Sequence, residues 1–231
     1  MQNTTISGIV AYFSIYYKQL KRGGKAEIMD DSWQRKYALL IAIAISVFSA
    51  FMLLFLMICF GFLPVRTIEG SMFIGLTLPT IVSLYLFPKL CQSVLMSESN
   101  KFLKEMNKKW KSILYLVVFS ILYGVMYRRE FESIPMICIV IFHYTIVSLG
   151  EEFTYRKLIL RLLNIRYKTW VAIIISAIMF SFILHINENL ILNLLIRFPM
   201  GIVFGCVAVK TNSIAYTVVL HTIYNLIVLI L

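Results

Sequence analysis

Seven apolar runs, parted by short polar or charged breaks, constrain this chain more than any other feature. They fall at about Tyr37 to Leu63, Met72 to Phe87 or Leu90, Ser112 to Tyr127, Pro135 to Leu163, Trp170 to Ile186, Leu190 to Val209 and Ile214 to Leu231. Runs of this length match a hydrocarbon core about 30 Å thick, which takes about 20 helical residues to cross. No water in that core can satisfy a backbone N–H or C=O, so the runs have to be helices that pair their own backbones. The expected fold is therefore all-α, a polytopic transmembrane bundle of about seven spans, six to eight by the boundaries, with an intramembrane polar cavity. Composition agrees: 60% of the 231 residues are hydrophobic, 14% are charged, and mean hydropathy is +0.85.

The net charge of +11 would suggest nucleic acid in a soluble protein. Here Lys and Arg cluster between the apolar runs, the pattern that orients helices in a membrane. The partner expected is thus the lipid bilayer, with no nucleic acid, and the location is a cell membrane crossed many times. Lys18, Lys21, Arg22, Lys25, Arg35 and Lys36, with the lysines from Lys89 to Lys111 and the cations from Arg156 to Lys168, place those segments in the cytoplasm. That puts the N-terminus inside and the C-terminus outside. Residues 9–17 are apolar and aromatic but too short to span, which suits an interfacial helix or a tail. Residues 1–36 are read as a basic cytoplasmic segment, 37–130 as accessory spans and 131–231 as the core that carries the charged positions taken up next. The N-terminus lacks the basic n-region and cleavage site of a signal peptide. Cys59, Cys91, Cys138 and Cys206 have neither CxxC nor Cys/His ligand spacing and are read as buried free thiols.

Charge inside the apolar background is what calls for a function. Ionisable groups at mid-bilayer cost about 2.5–3.5 kcal/mol each on insertion scales, so a cluster of them marks a site. Glu151, Glu152 and Arg156 follow the fourth apolar run with no helix breaker between. Positions four apart share a helix face and adjacent ones diverge by about 100°, so Glu152 is placed to pair with Arg156 while Glu151 points elsewhere. An unpaired carboxylate in a partly desolvated site suits a general base. The plainer alternative has all three snorkelling to water at the interface. His185 ends the fifth run. His221 and Asn225, four apart, share a face of the seventh; they can be helix–helix glue, oxyanion donors or, for the histidine, a metal ligand. Arg197, inside the sixth run, can pair with Glu151 or Glu152 or reach the interface. Gly201 and Gly205 read as a close-packing pair. His143, rotated about 80° from Glu151 on an ideal helix, reads as structural.

These residues resemble the CPBP family, the CAAX proteases and bacteriocin-processing enzymes also called Abi. Its pattern is Glu-Glu-x-x-x-Arg, then Phe-x-x-x-His, then His-x-x-x-Asn on separate spans. The first is met by Glu151, Glu152 and Arg156, the third by His221 and Asn225. The second is met only at His185: Ser181 stands four residues earlier, flanked by Phe180 and Phe182. The resemblance covers about residues 135–231. It implies an intramembrane endopeptidase in which Glu151 activates water, His185 assists, His221 with Asn225 stabilises the oxyanion, and Glu152 with Arg156 orients the site. Bacteriocin self-immunity or peptide processing is the implied setting, and a non-catalytic immunity or scaffold protein is the alternative. The same Glu151, His185 and His221 can also be drawn as ligands of a divalent metal such as zinc, although no His-Glu-x-x-His is present.

One requirement stands against these boundaries. Charge counting sets Glu151 toward the cytoplasmic end of the fourth run and His185 toward the outer end of the fifth, whereas a shared site needs both at one depth.

Overall fold

The computed structural model describes residues 31–65, 67–95, 110–126 and 133–229. The interfacial reading of residues 9–17 and most of the second lysine cluster lie outside them. Seven helices cover these residues: α1 (Asp31–Gly61), α2 (Ile68–Leu95), α3 (Trp110–Met126), α4 (Ile134–Asn164), α5 (Thr169–Leu184), α6 (Leu190–Thr211) and α7 (Ala215–Val228). α1, α2, α4 and α6 are long and apolar enough to cross a membrane, while α3, α5 and α7 are shorter. The helical bundle expected from the apolar runs is thus the observed fold.

Local chemistry sets the helix ends. Ser133 caps α4, its Oγ accepting from the Met136 N–H at 3.3 Å, and Pro135 sits in the first turn where its missing N–H costs nothing. Asn189 caps α6 by accepting from Ile191 and Leu192. Asn212, in the left-handed conformation (φ 48°), closes α6. α4 runs unbroken through the Glu pair to Asn164, as its lack of breakers predicts. α2 begins at Ile68 and reaches Leu95, longer than the apolar run alone suggests, because Ile68 to Ser71 already form a turn capped by Thr67.

Three stretches of wide π turn precede prolines by two residues: Phe73–Thr77 before Pro79, Ile81–Leu86 before Pro88 and Asn193–Arg197 before Pro199. A proline cannot donate to the carbonyl four residues back, and the backbone instead bonds five back: Leu78 N to Phe73 O, Phe87 N to Val82 O, Phe198 N to Asn193 O. The carbonyl of Leu84, deprived of its donor by Pro88, accepts the Thr154 hydroxyl of α4 at 2.7 Å. Breakers in α2 thereby become a tie to the helix that carries the carboxylates.

α4 is the axis of the bundle, packed against α2, α3, α5 and α7. Its buried Tyr155, Leu158, Ile159, Leu162 and Leu163 meet Ala38, Ala42 and Ile45 of α1 and Ile173 and Phe180 of α5. The Tyr155 hydroxyl bonds Ser46 Oγ at 2.9 Å, so the deepest aromatic of this core leaves no polar atom unpaired. α3 sits at the edge, touching the rest through Tyr123, Val140 and Leu226. The first and third basic segments meet at one end: Arg166 Nη1 donates to Lys36 O at 2.8 Å and Arg35 Nε to Ile165 O at 3.3 Å, tying the start of α1 to the α4–α5 turn.

The four cysteines are free, but the reading of them as buried fails. Cys59, Cys138 and Cys206 are exposed and Cys91 is half-buried. In a membrane bundle the outward face is apolar, so a thiol in an apolar run need not face inward. His143 does prove structural, buried and bonded through Nδ1 to Thr77 Oγ1 at 2.9 Å.

Glycine allows the closest approaches. A Cβ at Gly201 would lie 3.1 Å from Ala177 Cβ, and one at Gly205 2.9 Å from Ile173 Cγ2, so the small pair of α6 seats on α5 as expected. At Gly150, one residue before the carboxylates, a Cβ would stand 2.9 Å from Leu84 Cβ and 3.5 Å from the Leu84 backbone. Ile173 Cγ2 moves only with a stiff β-branched χ1 and Leu84 Cβ only with its helix, and the Cβ at Gly150 meets the Leu84 backbone as well. Gly150→Ala is therefore expected to cost about 1–3 kcal/mol and Gly205→Ala distinctly less, a ranking readable from thermal unfolding in detergent.

Candidate active site

Counting from the turn that α4 and α5 share removes the depth conflict. Glu151 lies 13 residues before Asn164, about 20 Å at 1.5 Å per residue, and His185 lies 16 residues after Thr169, about 24 Å. The two therefore reach similar depth because α5 ends early, at Leu184, rather than crossing the full apolar thickness.

The α4 cluster is closed by α7. Glu152 is fully buried, and its Oε1 accepts from His221 Nδ1 at 2.9 Å and lies 3.4 Å from Arg156 Nη1. Glu151 Oε2 lies 3.4 Å from the other ring nitrogen of His221, Nε2. The imidazole thus bridges the two carboxylates, a contact between α4 and α7 that no spacing within either helix contains. The pairing of Glu152 with Arg156 expected from their i, i+4 spacing is present. The snorkelling alternative is not, since Glu151 and Arg156 are only 5% and 4% exposed.

Arg156 is also held from α5 and α6. Its Nη2 donates to Gly201 O of α6 at 3.2 Å, and its guanidinium carbon lies 4.4 Å from the Phe180 ring centroid and 5.5 Å from that of Phe204. Phe204 stacks on His221 (4.7 Å, 28°), and Phe180 meets the His221 and His185 rings edge-on at 5.7 and 5.2 Å. Aromatic faces around a cation stabilise it where water is excluded.

The displaced aromatic of the second motif finds its explanation here. Met179–Leu184 forms a wide turn with no proline behind it. Such a turn aligns residues about five apart instead of four, so Phe180, five before His185, faces the histidine as a Phe four before it would in a regular helix. Ser181 is turned inward instead, its hydroxyl bonded to Ala177 O at 2.8 Å. The other wide turn without a proline, Phe153–Ile159, directly follows the Glu pair. Both lie at the site, where extra residues in a helix commonly re-aim side chains.

A cavity of about 460 Å³ opens beside this cluster. Glu151, His185, His221 and Asn225 line it with Tyr144, Phe180, Phe204 and Tyr224, whereas Glu152 and Arg156 lie behind its wall. Asn225 Nδ2 donates to Ser148 Oγ of α4 at 3.3 Å. All six residues expected from the sequence therefore gather at one place, four on the cavity and two behind it. Arg197 also lines the cavity, but it pairs with neither Glu151 nor Glu152. Its partners are Asn193 Oδ1 at 2.8 Å and Glu188 Oε2 at 3.6 Å. Asn193 and Glu188 escaped notice in the sequence because an Asn in an apolar run and a Glu in a turn carry no signal until something binds them.

No group of three or more His, Cys, Asp or Glu side chains among the described residues is disposed to hold a metal ion. Both ring nitrogens of His221 are directed at carboxylates.

Residues 133–227 match a family model described as Rce1-like, the type II CAAX prenyl endopeptidases. No curated protein and no solved structure matches the chain. The matched segment begins at the cap of α4, ends within α7 and contains every residue of the cluster. With its motifs, its bundle and its buried cluster in place, this segment is similar to the Rce1-like CAAX proteases, the family that the sequence resembles.

Proposed function

We propose that this protein is an intramembrane endopeptidase in which a water activated by Glu151 hydrolyses a peptide bond of a peptide or a membrane-protein tail. The observation that carries the reading is the lining of one cavity by Glu151, His185, His221 and Asn225 within an otherwise apolar bundle.

The division of labour between the carboxylates follows from their surroundings. Glu152 is spent on His221 and Arg156 and has no face on the cavity. Glu151 borders it, so Glu151 is the group that can take a proton from water. Hydroxide attacks the carbonyl carbon, and the C=O electron pair moves to oxygen. The His185 ring and the Asn225 amide, two cavity donors not directed at a carboxylate, stabilise that oxyanion. Glu151 then returns its proton to the leaving nitrogen as the C–N bond breaks. His221, held from behind by Glu152, fixes the position of Glu151 and meets the change in its charge. This differs from the family expectation in one respect: oxyanion stabilisation shifts from His221 toward His185. The absence of a Phe four residues before His185 slightly favours the non-catalytic alternative; the Phe180 ring, 5.2 Å from that of His185, weighs for the catalytic one. Self-immunity or peptide maturation in a bacterial membrane is the setting to which this reading extends.

Glu151→Gln is expected to lower cleavage of a membrane-peptide substrate at least 100-fold with an unchanged melting temperature; full activity in that variant would end the proposal. Extensive dialysis against a chelator should leave the wild-type rate as it was. Arg156→Met removes one partner of a buried pair and should destabilise the fold by about 3–5 kcal/mol, measured by denaturant or thermal unfolding, so its activity loss comes with a stability loss that Glu151→Gln lacks.

A further inference from the structure

Of Glu151, His185, His221 and Asn225, the four site residues that line the cavity, His185 alone lies outside a helix. α5 ends at Leu184, and His185 follows it with φ −101° and ψ 35°, no longer helical. The direction of its ring therefore depends on what grips the chain just past the helix. Two donors do so. The His185 carbonyl accepts the Glu188 N–H of its own turn at 3.1 Å and the Asn193 Nδ2 of α6 at 2.8 Å. Its ring meets Phe180 edge-on at 5.2 Å.

Asn193 is itself fixed. It is 2% exposed, and an amide buried among apolar side chains is costly unless its polar ends are paired. Arg197 Nη1 donates to its Oδ1 at 2.8 Å. A guanidinium can only donate, so this contact decides which end of the amide is the oxygen and turns the N–H end toward the His185 carbonyl. The Asn193 backbone is tied as well, its N–H donated to Asn189 O at 2.9 Å in the first turn of α6. An amide that served only as glue would join one helix to another. This one joins α6 to the residue just past α5, a residue that the proposed reaction uses.

From this chain of contacts we infer that Asn193 is a positioning residue for His185: its amide, oriented by Arg197, holds the histidine backbone so that the ring stays on the cavity instead of moving with the α5–α6 turn. The inference rests on the peptidase reading only for the reaction in which His185 acts. A misplacement of about 1 Å at a reacting group costs up to about 100-fold in rate, so a grip on the backbone is enough to matter.

The full-length protein in nanodiscs, grown with nitrogen-15-labelled histidine, carries three imidazoles, and that of His185 is the signal lost in His185→Gln. Asn193→Leu removes the donor. Asn193→Asp keeps the shape and the acceptor for Arg197 but presents a carboxylate with no N–H. In both variants the His185 signal should shift or split while that of His143, bonded to Thr77 of α2, stays in place. Peptide cleavage should show kcat lowered about 10- to 100-fold with KM changed less than about twofold. A His185 signal at its wild-type position in Asn193→Asp, an equal movement of the His143 signal, or a loss carried by KM alone overturns the assignment. Should the Asn193 variants fail to fold, Arg197→Gln, which releases the amide to turn, should move the same signal, and an unmoved signal there overturns it as well. Because the imidazole signals need no turnover, a wild type that cuts no peptide while Asn193→Asp moves His185 removes the peptidase reading and leaves the positioning role standing. An active wild type whose His185 signal ignores Asn193→Asp does the reverse.

Discussion

The bridge from Glu152 through His221 to Glu151 is the contact on which the site depends. A carboxylate buried without partners inside a bundle is prohibitive, and one with good partners is tolerated. Glu152 receives the His221 Nδ1 at 2.9 Å and the Arg156 guanidinium at 3.4 Å. Satisfying that one charge recruits three helices: α4 carries Glu152 and Arg156, α7 carries the imidazole, and α6 lends the Gly201 carbonyl to the guanidinium. Aromatic rings from α5 and α6 then cover the cation. The architecture around the cavity can be read as the set of contacts that makes one buried carboxylate affordable, leaving its neighbour to face the open side.

Irregular helix geometry serves the same end. Three wide turns accommodate prolines, and one of those prolines frees the Leu84 carbonyl for Thr154, two residues beyond Glu152. The remaining two, at Phe153–Ile159 and Met179–Leu184, set the side chains of the site itself. A regular α5 would put Ser181 opposite His185. The wide turn substitutes Phe180, whose ring then touches His185, His221 and Arg156 together. A one-residue departure in a motif is in this case compensated by a one-residue change in helix pitch.

Close packing makes such placement rigid. Gly201 and Gly205 let α6 lie against α5, and Gly150 lets α4 lie against α2 immediately before the carboxylates. Membrane helices gain little from hydrophobic burial against one another, since lipid is as apolar as their side chains, so van der Waals contact and interhelical hydrogen bonds carry the association. The Ser46–Tyr155, Thr77–His143 and Thr154–Leu84 bonds are of that kind, and each joins α4 to α1 or α2.

Much of this was legible in the chain before any fold was seen. Apolar runs of membrane length dictate helices, because the backbone has no other way to satisfy itself in hydrocarbon, and the i, i+4 rule paired Glu152 with Arg156 because both residues ride one helix. Those are local consequences, and a sequence encodes them directly. The thiols of Cys59, Cys138 and Cys206 were misjudged because outward and inward faces of a membrane helix are equally apolar, which removes the pattern that reveals burial in water. Contacts between helices were likewise beyond the chain's local grammar. Only the tertiary structure decided that His221 spans both carboxylates, that Arg197 turns to Asn193 and Glu188 instead of Glu151, and that α5 stops early enough to bring His185 to the depth of Glu151. Each depends on the rotation and depth of one helix against another, which are set by packing and not by the spacing of residues along either.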